Sequence, residues 1–231
     1  ETCEGPDLLS AFWHAIEKVT VLDPTCGSGA FHFAALNVLE PLYEACLERM
    51  RVFLNEWGEQ GKKQHLNYYK LFSETLKRVE QHPNPKYFIY KSIILNNLYG
   101  VDILEEAVEI CKLRLFLKLA AQVDPDPTKD NYGIEPLPDI DFNIRAGNTL
   151  VGFVTKDDVR KAIELSQHNQ QNIVFEDQQK ILDRIEEEAE NADRAFKLFQ
   201  EMQTKYGMDH AEFLEAKADL RQRLRNLEKE L

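Results

Sequence analysis

The sequence predicts an α/β fold in which short parallel strands alternate with helices. Three short apolar stretches are interpreted as strands, and segments with helical spacing of apolar side chains separate them. Strands and helices that alternate in this order are typical of a parallel sheet covered by helices. The predicted strands are residues 19–22, 97–103 and 142–153.

Several helices accompany these strands. Pro6 indicates the first helical position of one of them. A second helix should begin near Gly29, and Pro41 should kink or restart it. Residues 42–82 are predicted to be helical almost throughout, with a break around Gly58–Gly61. The prolines at 83 and 85 predict a turn at 82–87, and another short helix is expected at 86–96. Residues from about 42 to 97 would form a large helical insertion between the first two strands.

Residues 155–231 differ from the rest of the chain. They carry many charges and few β-branched residues, and their apolar residues recur at steps of three and four. This pattern predicts a helical hairpin, with Asp209 and Glu212 as a capping box for its second helix. We therefore divide the chain into a partial α/β core at residues 1–154 and a hairpin insertion at 155–231. The helix at 210–231 has an apolar seam that could mediate self-association, formed by Leu220, Leu224, Leu227 and Leu231.

The composition argues against several classes of protein. A formal net charge of −12 means that most of this surface would repel nucleic acid. The four cysteines include no Cys-x-x-Cys pair and no histidine at ligand spacing, so we expect neither a metal site nor a disulfide framework. Reduced thiols suit a cytoplasmic protein, and no apolar run is long enough for a signal peptide or a membrane span. The first residue is Glu1 rather than methionine, which suggests a fragment of a larger protein.

The stretch VLDPTCGSGAF, residues 21–31, predicts a ligand site. Asp23 ends the predicted strand and would project from the carboxyl edge of the sheet, where ligands bind in open α/β folds. Gly27 and Gly29 let the backbone approach a ligand closely, and the helix that follows offers free N–H groups. A dinucleotide fits less well because the third glycine of the G-x-G-x-x-G fingerprint is missing, and a P-loop lacks its Gly-Lys-Ser/Thr.

Three stretches resemble motifs of the amino-group DNA methyltransferases, particularly the N6-adenine type. Residues 23–31 resemble the first cofactor motif, residues 96–119 the second and residues 139–153 the third, in the expected order. The resemblance implies a partial Rossmann-like core that binds S-adenosylmethionine, with large helical insertions. The likeness is greatest to large bacterial enzymes of the type IIG kind, which join modification and restriction, and to phage-defence methylases.

The same resemblance implies roles for individual residues. The glycine turn would wrap the methionine part of the cofactor. Asp102, at the end of the second strand, would accept hydrogen bonds from the ribose hydroxyls, and Ile103 would lie against the adenine ring. Asn148 would bind the adenine amine, although a preference for a left-handed turn beside Gly147 explains this residue equally well. The implied cofactor-binding residues are Asp23, Pro24, Thr25, Cys26, Gly27, Gly29, Phe31, Asp102, Ile103 and Asn148.

The fourth motif of these methyltransferases, Asn/Asp-Pro-Pro-Tyr/Phe, is absent from the 231 residues. Because that motif holds the target amine and stacks on the flipped base, no catalytic residue is assigned. Asn84-Pro85 lies in a turn between helices, before the second motif, and is not expected to replace it. The chain is therefore expected to be the cofactor-binding part of a site-specific DNA adenine methyltransferase. It would be inactive alone and would contact DNA through parts of the parent protein outside this chain.

Two other functions stay open from the sequence. The chain could be a non-catalytic interaction module that keeps a methyltransferase scaffold and works through its hairpin. It could also belong to a methyltransferase that acts on RNA or protein, because the missing motif would normally decide the substrate. Among the side chains, His14 and His32 are expected to be packed or partly exposed rather than bases. Cys26 is expected to be a small residue that fits the turn, although a helix N-terminus could activate its thiol.

Overall fold

The computed structural model describes residues 5–123, 125–128, 132, 135–153, 155, 157–162, 175–204 and 210–230. The chain divides into two compact units, Glu1–Thr149 and Leu150–Leu231. The first unit contains α1 (Pro6–Lys18), β1 (Val21–Asp23), α2 (Ala30–Glu56), α3 (Glu59–Gln64), α4 (Leu66–Gln81), α5 (Pro85–Asn96), β2 (Leu98–Asp102), α6 (Glu105–Ala120) and β3 (Ile144–Ala146). The second unit contains α7 (Phe175–Thr204) and α8 (His210–Glu230). The domain boundary between residues 154 and 155 stays a prediction.

The sheet of the first unit has three parallel strands in the order β1-β2-β3. β2 is the middle strand: Asp23 of β1 lies opposite Gly100, and Asp102 of β2 lies opposite Ala146 of β3. Parallel strands bring their carboxyl ends to one edge, so both aspartates lie at that edge. The predicted parallel arrangement is confirmed. The described residues form a small sheet among many helices, and the complete Rossmann-like core stays a prediction.

Four helices, α2 to α5, connect β1 to β2 across a stretch that the structure describes throughout. Of the two effects expected of Pro41, a restart of α2 does not occur, because the helix runs from Ala30 to Glu56, and a kink stays a prediction. A proline leaves the carbonyl four residues earlier, that of Asn37, without its helical partner. Asn37 is exposed, so water can bond to that carbonyl. Buried side chains on both sides of the proline hold the helix in place: Leu36, Leu39, Tyr43 and Leu47.

Asn97, between α5 and β2, joins several elements through one fully buried side chain. Its Nδ2 donates to the carbonyl oxygens of Ile16 at 2.7 Å and Val19 at 2.6 Å. Its Oδ1 accepts from the Tyr43 hydroxyl at 3.0 Å, and its backbone carbonyl accepts from Val21 N at 2.7 Å. Both side-chain donors and the side-chain acceptor are therefore in use. The contacts fasten α1, α2 and β1 to the start of β2.

Asn143 fastens the other side of β2. Its buried Nδ2 lies 3.0 Å from the carbonyl oxygen of Leu95, 3.1 Å from that of Leu98 and 3.3 Å from that of Ile94. A helix leaves its last carbonyls without intrahelical partners, so this amide satisfies the buried end of α5. The backbone carbonyl of Asn143 also accepts from Gly100 N at 2.8 Å, which fixes the position of β3 beside β2.

A buried ion pair ties the segment before β3 to α5. Lys91 of α5 is 6% exposed, and its Nζ lies 2.9 Å from Glu135 Oε2. His82 Nε2 lies 3.8 Å from the same oxygen, and burial lowers the pKa of His82, so its ring is neutral at neutral pH. A buried ammonium without its partner is strongly destabilising, so Glu135 is required once Lys91 is buried.

The second unit is a helical hairpin. Helices α7 and α8 run antiparallel: Phe199 stacks on Phe213 with ring centroids 5.1 Å apart, and Arg184 Nη2 lies 3.7 Å from Glu230 Oε2. Leu220 is fully buried, so this part of the predicted apolar seam packs within the unit.

Asp209, half of the predicted capping box, and Leu231, the last residue of the seam, lie outside the described residues. Self-association through α8 stays a prediction. In the part of the chain that the structure describes, every helix is too short or too polar to cross a bilayer.

We expect Asn97→Asp to destabilise the first unit strongly. The new carboxylate would face the carbonyl oxygens of Ile16 and Val19 in a buried site, and an uncompensated buried charge costs about 3–5 kcal/mol. Urea unfolding at neutral pH should show a free energy of unfolding lower by about 3–5 kcal/mol. Asn37→Asp, on the exposed side of α2, is the control and should change stability by less than about 0.5 kcal/mol. Equal effects of the two substitutions would contradict the role of Asn97.

Candidate functional site

The candidate site lies at the carboxyl edge of the sheet, where β1 and β2 end. β1 runs into a turn, residues 24–29, that contains both glycines of the first motif, and α2 begins directly after it. Cys26 N donates to the carbonyl oxygen of Val101 at 2.9 Å, which holds the turn against the end of β2. The edge at which open α/β folds bind ligands is therefore formed by the first two predicted motifs.

The two glycines of the turn have different surroundings. Both have left-handed backbones, with φ of 50° at Gly27 and 87° at Gly29, and this conformation is unfavourable for other residues. A Cβ added at Gly29 would lie 2.7 Å from Cys111 Sγ, so Gly29 lets the turn pack on α6. A Cβ added at Gly27 would meet nothing within 4 Å. Gly27 therefore borders open space in which a ligand could lie against the backbone.

Asp102 joins the end of β2 to the glycine turn. Its Oδ1 accepts from Leu104 N at 2.9 Å, and its Oδ2 accepts from Gly27 N at 2.8 Å. These two hydrogen bonds, led by the one from Leu104, hold the pKa of Asp102 below its usual range, so the carboxylate is ionised at neutral pH. Each oxygen keeps a further lone pair for another donor. The residue predicted to bind ribose is thus also a structural link, which the motif alone does not reveal.

Asp23 presents a carboxylate oxygen that has no hydrogen-bond partner among the described residues. Its Oδ1 accepts from Thr25 N at 3.0 Å and so shapes the start of the turn. Its Oδ2 is buried and has no hydrogen bond to the described residues, and the whole residue is 8% exposed. Buried carboxylate oxygens in proteins normally have a donor. This oxygen is therefore an acceptor suited to a cationic or N–H group of a ligand.

His32 packs beneath the turn, in the first turn of α2. It is fully buried, and its Nε2 donates to the carbonyl oxygen of Tyr99 at 2.9 Å. Gly100 of β2 makes room for it: a Cβ at that position would lie 2.6 Å from His32 Cε1 and 2.9 Å from Cys26 Cβ. The expectation that His32 is a packed residue is confirmed. The importance of Gly100 was not predicted, because a glycine within an apolar strand carries no motif signal.

The thiols near the turn are buried. Cys26 is 4% exposed and Cys111 is fully buried. Burial raises the pKa of both thiols, that of Cys111 to about 12. Because only the thiolate is a nucleophile, neither thiol is activated at neutral pH. Cys26 is therefore a small packed side chain, in agreement with the expectation that it fits the turn.

The remaining predicted residues lie at the surface of the same edge. Ile103 is 71% exposed and Phe31 is 73% exposed, so both apolar side chains are available to cover a ligand. Asn148 is also exposed. Its neighbour Thr149 donates through Oγ1 to the carbonyl oxygen of Pro24 at 3.1 Å, which joins the third motif to the first. All ten predicted site residues thus lie on the glycine turn, beside it at the ends of β1, β2 and α2, or just after β3.

Arg114 of α6 contacts the turn and was missed by sequence reasoning. Its Nη1 donates to the carbonyl oxygen of Ser28 at 2.5 Å and to Ser28 Oγ at 3.1 Å. The guanidinium carbon lies 4.7 Å from the centre of the Phe33 ring. Arg114 and Ser28 are 86 residues apart, and the pattern of the motifs does not show which face of α6 meets the turn.

A groove of about 1420 Å³ is lined by parts of α1, α2 and α5 and by Ala121 and Gln122, which follow α6. None of its lining residues is a predicted cofactor residue. Asn84 and Pro85 line it, but the Asn84 side chain is already engaged. Its Oδ1 accepts from Tyr87 N at 2.8 Å as the N-cap of α5, and its Nδ2 donates to the carbonyl oxygen of Gln122. The Asn-Pro pair therefore starts a helix.

The sequence pattern of the Eco57I restriction-modification methylases matches residues 96–215, more than half of the chain. The chain belongs to this family. A putative type II restriction enzyme and methyltransferase of Methanocaldococcus jannaschii is 34% identical over 155 residues, which are 65% of this chain and 10% of that relative. The matched segment thus spans only a small part of the relative's length. No solved structure matches the chain.

Residues 96–215 place the chain in a family of restriction-modification methylases. The family match begins at residue 96, just before β2, and includes Asp102 and the whole of α7. The hairpin helix is therefore part of the family's sequence pattern. The glycine turn lies before the matched residues, so its geometry is an observation independent of the family match.

We expect Gly100→Ala to destabilise the protein more than Gly27→Ala. The Cβ at position 100 would overlap His32 and Cys26 in the core, and such overpacking costs about 1–3 kcal/mol. Gly27→Ala adds no overlap and costs only the left-handed backbone, about 1 kcal/mol. Urea unfolding of both variants measures the difference. A larger loss for Gly27→Ala would contradict the packing described for His32.

Acid should weaken the fold partly through Asp102. Its pKa lies below the ordinary value of 3.8 in the folded protein, so its contribution to stability is complete above that value and is lost as the pH falls through the folded pKa. Asp102→Asn should remove this part of the acid dependence of the urea midpoint. Asp193→Asn, an exposed change on α7 that removes the same charge, is the control. If the urea midpoints of wild type and Asp102→Asn fell equally at acid pH, the prediction would be contradicted.

Proposed function

We propose that this chain carries the S-adenosylmethionine-binding part of a site-specific DNA methyltransferase that modifies adenine at N6 in restriction-modification or phage defence. Membership of the Eco57I family supports the reaction class. The observation that carries the choice of site is the Asp102 carboxylate, which ends β2 and accepts from Gly27 N of the glycine turn. This bond joins the two stretches that resemble the first and second cofactor motifs.

The described residues fit this cofactor. No described atom lies within 4 Å of a Cβ added at Gly27, which leaves room for a ligand there. The buried Oδ2 of Asp23, which has no partner among the described residues, would accept from the ammonium of the methionine part. The ionised Asp102 keeps lone pairs for the two ribose hydroxyls. The exposed side chains of Ile103 and Phe31 would cover the apolar faces of the ligand. When bound, S-adenosylmethionine would supply a methyl group activated by its sulfonium sulfur.

The third motif would complete the same pocket. Asn148 would bind the adenine amine, and its preceding residue Gly147 donates through N to the carbonyl oxygen of Asp102 at 2.9 Å. The Thr149 hydroxyl donates to the carbonyl oxygen of Pro24 in the turn. The segment after β3 is therefore attached to both of the other motifs, which supports a shared role in binding.

The methyl acceptor would be bound by other parts of the protein. The 231 residues contain no Asn/Asp-Pro-Pro-Tyr/Phe, and Asn84 is used as a helix cap. The net charge of −12 disfavours a DNA-binding surface on this chain. We therefore propose that the parent protein supplies the contacts to DNA and to the flipped base. We also propose that residues 1–154 form the partial core and that residues 155–231 are an insertion in it.

The wild-type chain should bind S-adenosylmethionine and S-adenosylhomocysteine in isothermal titration calorimetry. Asp102→Asn should weaken both by about 10- to 100-fold, because an asparagine cannot accept from both Gly27 N and Leu104 N and also lacks the charge. Asp102→Ala should abolish the binding. Asp193→Asn, the same change of charge on α7, should leave the affinity unchanged.

Two results would contradict this proposal. The first is the absence of any heat of binding, with either ligand, from wild-type protein that unfolds cooperatively. The second is methylation of DNA by this chain alone with tritiated S-adenosylmethionine, which would show that the transfer does not need residues outside the chain.

A further inference from the structure

We infer that Arg114 is a positioning residue that holds the glycine turn in the form that receives the cofactor. The ligand in this inference rests on the proposed function, whereas the restraint on the turn does not. Arg114 donates from Nη1 to both the carbonyl oxygen and the hydroxyl oxygen of Ser28, at 2.5 and 3.1 Å. Ser28 lies between Gly27 and Gly29, so Arg114 acts at the centre of the turn.

The contact fixes the peptide unit that joins Ser28 to Gly29. Its carbonyl oxygen accepts from Arg114, and its N–H, that of Gly29, donates to the carbonyl oxygen of Cys26 at 2.8 Å. Because a peptide unit is planar and rigid, any rotation of it must break both bonds. The φ of 87° at Gly29 is one of several conformations open to a glycine. These two bonds therefore select the conformation that is observed.

The Arg114 side chain is itself restrained. Its guanidinium lies over the Phe33 ring at 4.7 Å, within the range of a cation–π contact. Phe33 belongs to the first turn of α2, and its N–H donates to the carbonyl oxygen of Gly29 at 3.1 Å. Arg114 thus joins three parts of the site: α6, the glycine turn and the start of α2. This arrangement makes the turn less free than its two glycines alone would allow.

Loss of Arg114 would weaken binding through the shape of the turn. A turn that samples other conformations is ready for the ligand only part of the time, and the measured Kd rises by the reciprocal of that fraction. A hydrogen bond from a charged group that is partly exposed to water corresponds to about a 5- to 20-fold effect. Arg114 is an exposed residue, so its loss should change the global stability less than it changes the turn.

Arg114→Met removes the donor and keeps much of the side-chain length. Lys118→Met is the matched control, because Lys118 lies on the same helix, carries the same charge and contacts the Tyr90 ring at 5.1 Å instead of the turn. Two quantities are measured on the whole chain: amide hydrogen exchange of residues 27–29 without ligand, by NMR, and the calorimetric Kd for S-adenosylhomocysteine.

Arg114→Met should accelerate exchange of the Gly29 amide and raise the Kd about 5- to 20-fold, with little change in the urea midpoint. Lys118→Met should change neither the exchange rate of the Gly29 amide nor the Kd. Arg114→Lys should restore most of the exchange protection at Gly29 and most of the affinity, because an ammonium can still donate to the Ser28 carbonyl. The ratio of Kd values between Arg114→Met and wild type should be the same at low and high salt, as expected for a direct contact.

Three results would overturn the inference. They are unchanged exchange at Gly29 in Arg114→Met, a loss of exchange protection that extends through α2 and β2, and a Kd ratio that falls to one at high salt. The last would show long-range attraction of the ligand by the charge instead of positioning. If wild type binds neither ligand while Arg114→Met still accelerates exchange at Gly29, the proposed cofactor is wrong and the restraint on the turn stands.

Discussion

The close packing of the glycine turn on β2 is the constraint on which the candidate site depends. Gly100 has no side chain, and this allows His32 and Cys26 to approach the strand more closely than a Cβ would permit. The approach brings Gly27 N within 2.8 Å of the Asp102 carboxylate. Without it, the turn would move away from the end of β2 and this bond would break. The absence of a side chain at Gly100 therefore sets the position of the candidate site.

Directional hydrogen bonds, in addition to apolar packing, hold β2 in its place. Asn97 satisfies carbonyl groups at the end of α1, and Asn143 satisfies those at the end of α5. An unsatisfied buried polar group costs about 1–3 kcal/mol, so a shift of β2 by one residue would lose several such bonds at once. The strand that carries Asp102 is therefore fixed in register.

Sequence reasoning succeeded where the signal is local. The first two strands, the helices of the insertion and the strand-end carboxylates follow from short patterns of residue type. The third strand is Ile144–Ala146, much shorter than the predicted 142–153. Sequence reasoning failed where the decisive contact is distant in sequence. The space that Gly100 leaves for His32 and the bond from Arg114 to Ser28 depend on which faces meet, and composition does not encode that. At Pro41 a local signal was misleading, because packing on both sides of the proline outweighs its tendency to break a helix.

The carboxylates beside the turn favour a ligand with cationic groups over a phosphate. Phosphate sites at helix N-termini use free N–H groups, but Gly27 N already donates to Asp102. Asp23 adds a second carboxylate, and its buried Oδ2 has no partner in the part of the chain that the structure describes. Two carboxylates beside the turn would repel a pyrophosphate and attract an ammonium or a sulfonium. S-adenosylmethionine carries an ammonium and a sulfonium, whereas a dinucleotide carries a pyrophosphate, and this supports S-adenosylmethionine as the proposed ligand.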